Sequence, residues 1–584
     1  MATSLIDADS LLAIDVGSIN TRASLFDVVD GSYRFLASGS APTTAHAPYF
    51  DIGEGIRMAL DRLQSITGRT LVGADEQLIV PSKPDGSGVD SVCATLSVGQ
   101  PLKVVAVGLL EDVSLESVRR LASSTYARLM DTISLTDRRK TETRMDTILR
   151  IRPDLILVAG GTEGGASQSV LKLLESIGLA CYLMPQEQRP EVLFAGNQDL
   201  KPQVQDVLGK LAQVSFAPNV RPTLTDEDLE PAIVQLASIF RSVRSRKMTG
   251  VQELDAWAGG GLIPTSTGFG RVIRFLSRVY DVSKGVLGID VGAFATTLAA
   301  AFSGELFMGV HSHLGMSTNL AQLMDSGADG ELLRWLHLPV SPQNVRDYLH
   351  NKSLFPASLP ATAEDLDIEQ AIARQLMRAA LLKTAEGFPS KVFRYGPRLT
   401  PWFEPIFASG AVITQAPSPA QSMLMLLDGL QPTGVTTVAI DYNHILPSLG
   451  AAAAKNPVLA VQVLEPNTFV SLGTVISPVS EAKPGTPILR VRMVQDDNSE
   501  TALEIKQGTL EVLHLPMGKT AKLDLRPLQR TDVGMGAAGR GGGLRVVGGV
   551  LGVVIDARGR PLRIPDDPVQ RRETLEKWRW ALGI

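Results

Sequence analysis

Two stretches of this chain end an apolar run with an aspartate, a glycine two residues later and then hydroxyl side chains: "LLAIDVGSINTR", Leu11 to Arg22, and "VLGIDVGAFATT", Val286 to Thr297. The pattern suits phosphate chemistry. A glycine just past a strand leaves backbone N–H groups open to a polyphosphate, because no side chain stands in the way. Hydroxyls add neutral donors, and an aspartate at the strand end holds Mg2+ through water while the ion neutralises phosphate oxygens. The candidates in the first stretch are Asp15, Gly17, Ser18, Asn20, Thr21 and Arg22; in the second they are Asp290, Gly292, Ala293, Thr296 and Thr297. Asp-x-Gly by itself also fills ordinary turns. Two copies in matching contexts, about 275 residues apart, point to an internal duplication.

Such turns need hairpins to carry them. After Asp15 the apolar pattern resumes at Ala23, Leu25 and Phe26, which predicts strand, tight turn and strand, followed by a third strand at "YRFLAS". Ile52, Ile56, Leu60 and Leu63 then repeat at helical spacing, and Gly68 ends that helix. From about Leu71 to Pro222 strands alternate with helices: "KVVAVGLL" leads to the helical "SLESVRRLASSTYARLM", and "PDLILVAGGTEGG" to "ASQSVLKLLESIG". This predicts a parallel sheet with helices on its faces. The helical runs "DEDLEPAIVQLASIFRSVRSRK" and "EDLDIEQAIARQLMRAALLKTAEG" flank the second hairpin; in the latter, Ile368, Ile372, Leu376 and Ala379 share one face and predict a core helix. Beyond Pro457, short alternating runs from "VLAVQVLEP" to "LRVVGGVLGVVID" predict a β-rich region of about 110 residues, closed by a helix at "RRETLEKWRWALG".

The paired turns resemble those of the actin-like ATPase superfamily, in which a nucleotide lies between two duplicated lobes of RNase H-like fold. That resemblance implies a third element, a glycine turn after a strand beneath the adenosine, and "PIFASGAVITQ" with Gly410 and Ala411 matches it. More narrowly, the chain resembles the glutamate mutase accessory proteins of the MutL or GlmL type. "DVGSINTR" is similar to that family's first turn, with Arg22 in place of lysine; "DLILVAGGTEGG" to its Gly-Gly-Thr-Asp-Gly-Gly loop, with Glu163 for aspartate; "DVGAFATT" to its second turn; and "SGAVIT" to its adenosine turn. The second turn departs from the pattern: Ala293 stands for a glycine, Phe294 adds bulk, and Thr297 replaces an aspartate. Ala411 likewise replaces a glycine, and each added Cβ sits where backbone must approach phosphate.

The resemblance implies an α/β, two-lobed actin-like fold with an inserted α/β domain and a C-terminal β-rich domain. The expected boundaries are 8–70 for the first actin-like subdomain, 71–222 for the insertion, 223–455 for the second lobe and 456–584 for the β-rich domain. It further implies ATP and Mg2+ as cofactors, with Asp15 and Asp290 as the metal-facing and catalytic carboxylates of an ATPase. Function divides into two readings: an ATP-dependent, chaperone-like factor for a cobalamin-dependent mutase, or an actin-like assembly protein whose polymerisation nucleotide controls. The C-terminal β region is the candidate surface for a protein client or for self-association.

The rest of the sequence narrows the field. A net charge of −5 gives no global attraction to nucleic acid or to an anionic membrane. Cys93 and Cys181, without paired spacing, fit neither a disulfide framework nor a metal site, and the reading is cytoplasmic. "MATSLIDADS" lacks the basic segment of a secretory signal, and the longest uncharged stretches fall short of a membrane span. His311 and His313 have no third ligand nearby in sequence. In "DYNHILPSLG", Asp441 and His444 are one residue too far apart for a cobalamin-binding Asp-x-His-x-x-Gly. The Gly160–Gly165 loop reads as a tight strand-to-helix connection or as a second ligand or partner surface.

Overall fold

The structure, a computed structural model, describes residues 9–320, 332–396, 399–464 and 468–584. The described residues fall into two compact units. The first takes the chain as far as Gly268 with Met308–Ser312 and Gly450–Leu459; the second takes Phe269–Phe307, His313–Leu449 and Ala460–Ile584.

In the first unit the opening hairpin is β1 (Leu11–Val16) and β2 (Asn20–Val29), with β3 (Ser32–Pro42) after it. Every residue of β1 is buried, as a continuous apolar run covered on both faces requires. The helix Ile52–Thr67 follows; the Asp51 side chain accepts from the Gly53 N–H, and Gly68 closes it with φ 69°. It turns Ile52, Ile56, Leu60 and Leu63 inward, as its spacing predicts. The strand β4 (Ser91–Leu96) then pairs parallel with β1. A second sheet is built from β5 (Leu102–Gly108), β6 (Ala127–Ile133), β7 (Leu155–Ala159), β8 (Glu191–Phe194) and β9 (Gln213–Phe216). Its order is β6-β5-β7-β8-β9 and every pairing is parallel, a doubly wound arrangement. The short β10 (Ile263–Pro264) completes the first sheet as β10-β4-β1-β2-β3.

The second unit repeats that plan. Its strands β11 (Gly285–Val291), β12 (Thr296–Phe302), β14 (Phe403–Ser409) and β15 (Gly434–Ile440), with β13 (Glu305–His311) of which only Glu305–Phe307 falls in this unit, lie in the order β13-β12-β11-β14-β15. In both sheets the first strand pairs antiparallel with the second and parallel with the fourth, and the fourth pairs parallel with the fifth. The helix Ala363–Ala385 starts in a capping box between Thr362 and Asp365 and buries Ile368, Ile372, Leu376 and Met377. Three later strands, β16 (Val470–Ser477), β19 (Leu510–Leu513) and β22 (Val553–Asp556), extend the sheet to eight. The others, β17 (Pro487–Gln495), β18 (Glu500–Lys506), β20 (Thr520–Pro527) and β21 (Gly542–Val547), form an antiparallel sheet of their own, β18-β17-β20-β21.

The C-terminal part is fastened by buried charge. Arg558 reaches Asp556 through Nε at 2.8 Å and Asp428 through Nη1 at 2.7 Å; Arg374 meets Asp428 at 2.8 Å and Arg560 meets Asp556 at 2.7 Å. Although burial opposes it, Arg558 and Arg560 hold the Asp556 carboxyl well below the ordinary carboxylate range.

Two elements differ from the sequence reading. "SLESVRRLASSTYARLM" splits into a helix, Glu116–Ser123, and the strand β6. "VLAVQVLEP" begins with the helix Pro457–Val463 rather than a strand. Pro457 suits a first helical position, and the Asn456 side chain accepts from the Leu459 N–H at 2.9 Å, a local cap that outweighs the β-branched composition. Among the described residues no helix is long and apolar enough to cross a membrane.

Candidate phosphate-binding turns

At the end of β1, Asp15 faces Arg22 across the hairpin and Thr95 across the parallel pairing. Its Oδ1 accepts from the Thr95 hydroxyl at 2.6 Å and from the Thr265 hydroxyl at 2.9 Å. Burial raises its pKa, against the lowering influence of Thr95, Arg22 and Thr265. An aspartate in this state gains from a nearby cation, which favours its ionised form. Because two hydroxyls already hold Oδ1, the donor set suits Mg2+ held through water better than direct coordination.

The turn itself is fixed by backbone. The Gly17 N–H donates to the Asn20 carbonyl at 3.0 Å, and a Cβ on Gly17 would stand 2.8 Å from that same oxygen. Thr43 donates its hydroxyl to the Gly17 carbonyl at 2.8 Å. Thr43 and Thr21 hydroxyls lie 2.9 Å apart, so Thr21 is the donor of that pair and its proton goes to Thr43. Thr21 is buried, while Gly17, Ser18, Asn20 and Arg22 are half-buried at the hairpin tip.

The second turn repeats this geometry. The Gly292 N–H donates to the Ala295 carbonyl at 3.0 Å, and a Cβ on Gly292 would stand 2.9 Å from it. Asp290 pairs with Thr297 across the hairpin and with Ser409 across the parallel pairing. Register therefore equates Asp290 with Asp15, Thr297 with Arg22, Thr296 with Thr21 and Ser409 with Thr95. The surroundings differ in detail. Asp290 is half-buried rather than buried. The Gly292 carbonyl accepts from the Met316 N–H at 3.0 Å instead of from a threonine, and the Ala293 carbonyl accepts from the Ser317 N–H and hydroxyl at 2.9 and 2.8 Å. Thr296 is fully buried, and its hydroxyl finds no hydrogen-bond partner among the described residues.

Gly410 follows β14 directly. Its φ is 104°, and a Cβ there would lie 2.3 Å from the Val291 carbonyl oxygen, so only glycine lets the turn press against the end of β11. Ala411 is exposed and opens a short helix, Ala411–Thr414. The structure thus gathers Asp15, Gly17, Ser18, Asn20, Thr21 and Arg22 on one hairpin of the first unit, and Asp290, Gly292, Ala293, Thr296, Thr297, Gly410 and Ala411 at adjacent strand ends of the second. Thr43, Thr95, Thr265 and Ser317 carry no motif of their own in the sequence, and Ser409 enters there only as part of "SGAVIT". The pairing register exposes Thr95 and Ser409, and hydrogen bonds expose Thr43, Thr265 and Ser317.

The Gly160–Gly165 loop is held from outside. Gly161 and Gly164 take positive φ, the Asn219 amide donates to the Gly161 carbonyl at 2.9 Å, and the Glu163 N–H donates to the Pro222 carbonyl at 3.1 Å. Among the described residues no group of three or more His, Cys, Asp or Glu side chains is arranged to hold a metal.

Two sheets of one order, each with an Asp-x-Gly turn closing the same hairpin, define an actin-like ATPase fold. Within that class the chain belongs to the MutL protein family, whose model matches residues 11–468. "Protein MutL" of Clostridium tetanomorphum is 25% identical over 304 residues, which is 51% of this chain; the match spans 59% of that relative's own length. Among solved structures, nucleotide-free acetone carboxylase covers 86% of this chain and 81% of its own at 13% identity and TM-score 0.31. A nucleotide-free diol dehydratase-reactivating factor covers 78% and 99% at 10% identity and TM-score 0.29.

Proposed function

We propose that this protein binds ATP with Mg2+ and serves as an accessory factor to a cobalamin-dependent mutase of the glutamate mutase type. The observation that carries the nucleotide reading is the repeated turn: Gly17 to Asn20 and Gly292 to Ala295 close with the same backbone hydrogen bond beside register-equivalent aspartates. In this reading Gly17, Ser18, Asn20 and Arg22 are the phosphate-binding groups of the first hairpin, and the Gly292–Ala293 backbone is that of the second. Thr21, tied to Thr43, supports the first hairpin, Thr296 and Thr297 place their hydroxyls at the second as candidate nucleotide contacts, and the Gly410–Ala411 turn underlies the adenosine. Asp15 and Asp290 would hold Mg2+ through water, and the ion, when bound, would neutralise charge on the phosphates.

The residues themselves supply positioning. Fixed N–H groups and hydroxyls meet the phosphate without reorganising, and the buried Asp15 is kept in place by two threonines. Ala293 and Thr297, where the resembled family has glycine and aspartate, favour slow hydrolysis over rapid turnover. We also assign residues 71–222 as an inserted domain and 456–584 as the region that meets a client. The client rests on the family alone. The test is restoration of turnover in an inactivated glutamate mutase by this protein with ATP and Mg2+. Restoration that requires ATP supports the reading, whereas ATP-dependent light scattering without restoration would favour the assembly reading.

A further inference from the structure

The Gly410 turn of the second unit is braced by an imidazole. His444 lies in the turn after β15, with Nδ1 3.0 Å from the Ser409 hydroxyl and Nε2 3.3 Å from the Thr414 hydroxyl. Ser409 is the last residue before Gly410, and Thr414 ends the short helix after it. The ring therefore spans the turn from one side to the other. We propose that His444 is a positioning residue of the Gly410 turn, the turn read above as underlying the adenosine: by tying Ser409 to Thr414 it fixes that turn and the placement of the Ser409 hydroxyl. This deepens the nucleotide reading above and rests on it.

Thr414 also donates its hydroxyl to the Gly410 carbonyl at 3.2 Å, so imidazole, Thr414 and the Gly410 carbonyl form one chain of contacts. The two hairpins differ here. Thr95, the register counterpart of Ser409, gives its proton to Asp15; Ser409, beside Asp290, has its hydroxyl 3.0 Å from His444 Nδ1.

The turn does not need a histidine for its own sake. Residue 444 has φ 53°, a left-handed conformation that glycine or asparagine takes at lower cost. The start of the following helix is already held, because the buried Asp441 carboxylate accepts from the Ile445 and Leu446 N–H groups at 3.0 and 2.8 Å. The imidazole adds contacts from both ring nitrogens to Ser409 and Thr414, on either side of Gly410.

His444→Gly separates the two roles, since glycine suits the backbone and removes only the ring. ATP binding with Mg2+ is measured by calorimetry on wild type, His444→Gly, His444→Asn and Asp290→Ala, with melting temperatures alongside. The expected result is an unchanged melting temperature in His444→Gly with affinity lowered about tenfold, the scale of one ordinary hydrogen bond. Added free imidazole should restore affinity in His444→Gly, and His444→Asn should recover part of it by replacing Nδ1. Wild-type affinity in His444→Gly, with Asp290→Ala unable to bind, would overturn the proposal and leave the nucleotide reading standing. Absence of ATP binding by wild type would overturn both.

Discussion

Gly410→Ala tests the geometry of the second turn at its tightest point. The new methyl carbon would lie 2.3 Å from the Val291 carbonyl oxygen and 2.8 Å from both the Val291 carbonyl carbon and its nitrogen. These are backbone atoms, so no side chain can swing aside. The residue would also keep a φ of 104°, a conformation costing about 1–3 kcal/mol away from glycine. Overpacking of this kind adds about 1–3 kcal/mol, and together they set a loss of about 2–6 kcal/mol. Val291 leads straight into Gly292, so relief of the clash displaces the Asp-x-Gly turn and should weaken ATP binding as well. Gly17→Ala and Gly292→Ala place a Cβ 2.8 and 2.9 Å from one carbonyl oxygen each, without a positive φ, and should cost about 1–2 kcal/mol. Urea-unfolding midpoints at constant slope read these differences directly. A Gly410→Ala protein within about 0.5 kcal/mol of wild type, the ordinary range of surface changes, would refute the reasoning.

Other consequences follow from named side chains. Asp15 has a folded-state pKa raised above its ordinary 3.8, chiefly by burial. The native state thus holds the Asp15 proton more tightly than the unfolded chain, and this group's contribution to stability falls as pH rises from about 4 through the raised value. Asp15→Asn keeps an acceptor for Thr95 and Thr265 but cannot ionise, so its melting temperature should exceed wild type near about pH 7.5, with the gap closing toward about pH 4, while Mg2+-dependent ATP binding is lost. Thr95→Val removes one of the two Asp15 hydroxyl contacts and should cost about 1–2 kcal/mol in thermal unfolding. Asp428→Ala strands the buried Arg374 and takes from Arg558 one of its two carboxylate partners, Asp556 remaining, and should cost about 3–5 kcal/mol by calorimetric unfolding.

How far the sequence reaches depends on the range of the interaction. The Asp15 and Asp290 hairpins were legible because apolar run, aspartate and glycine are contiguous. The helix Ile52–Thr67 was legible from its spacing and its closing glycine, both local signals. The parallel order of β5 to β9 followed from alternation of strands and helices. What failed was arbitration inside mixed segments. "SSTYARLM" continues the helical pattern before it, yet it supplies β6, because pairing beside β5 outweighs local propensity. "VLAVQV" has the composition of a strand and becomes a helix through Asn456 and Pro457. The partners of Asp15 lie 80 and 250 residues away, and no local pattern marks Thr95 or Thr265. His444 was noticed for a different motif that its spacing does not fit, and its contacts to Ser409 and Thr414 emerge only when β14 and β15 lie side by side.

The central proposal is that the two duplicated Asp-x-Gly turns are nucleotide-binding turns. Calorimetry of ATP binding with and without Mg2+, on wild type, Asp15→Ala and Asp290→Ala, tests it most directly. The account predicts Mg2+-dependent binding by wild type and at least about a tenfold loss in each variant, since each removes one carboxylate proposed to face the metal. Full-affinity binding in both variants, or none by wild type, would contradict it.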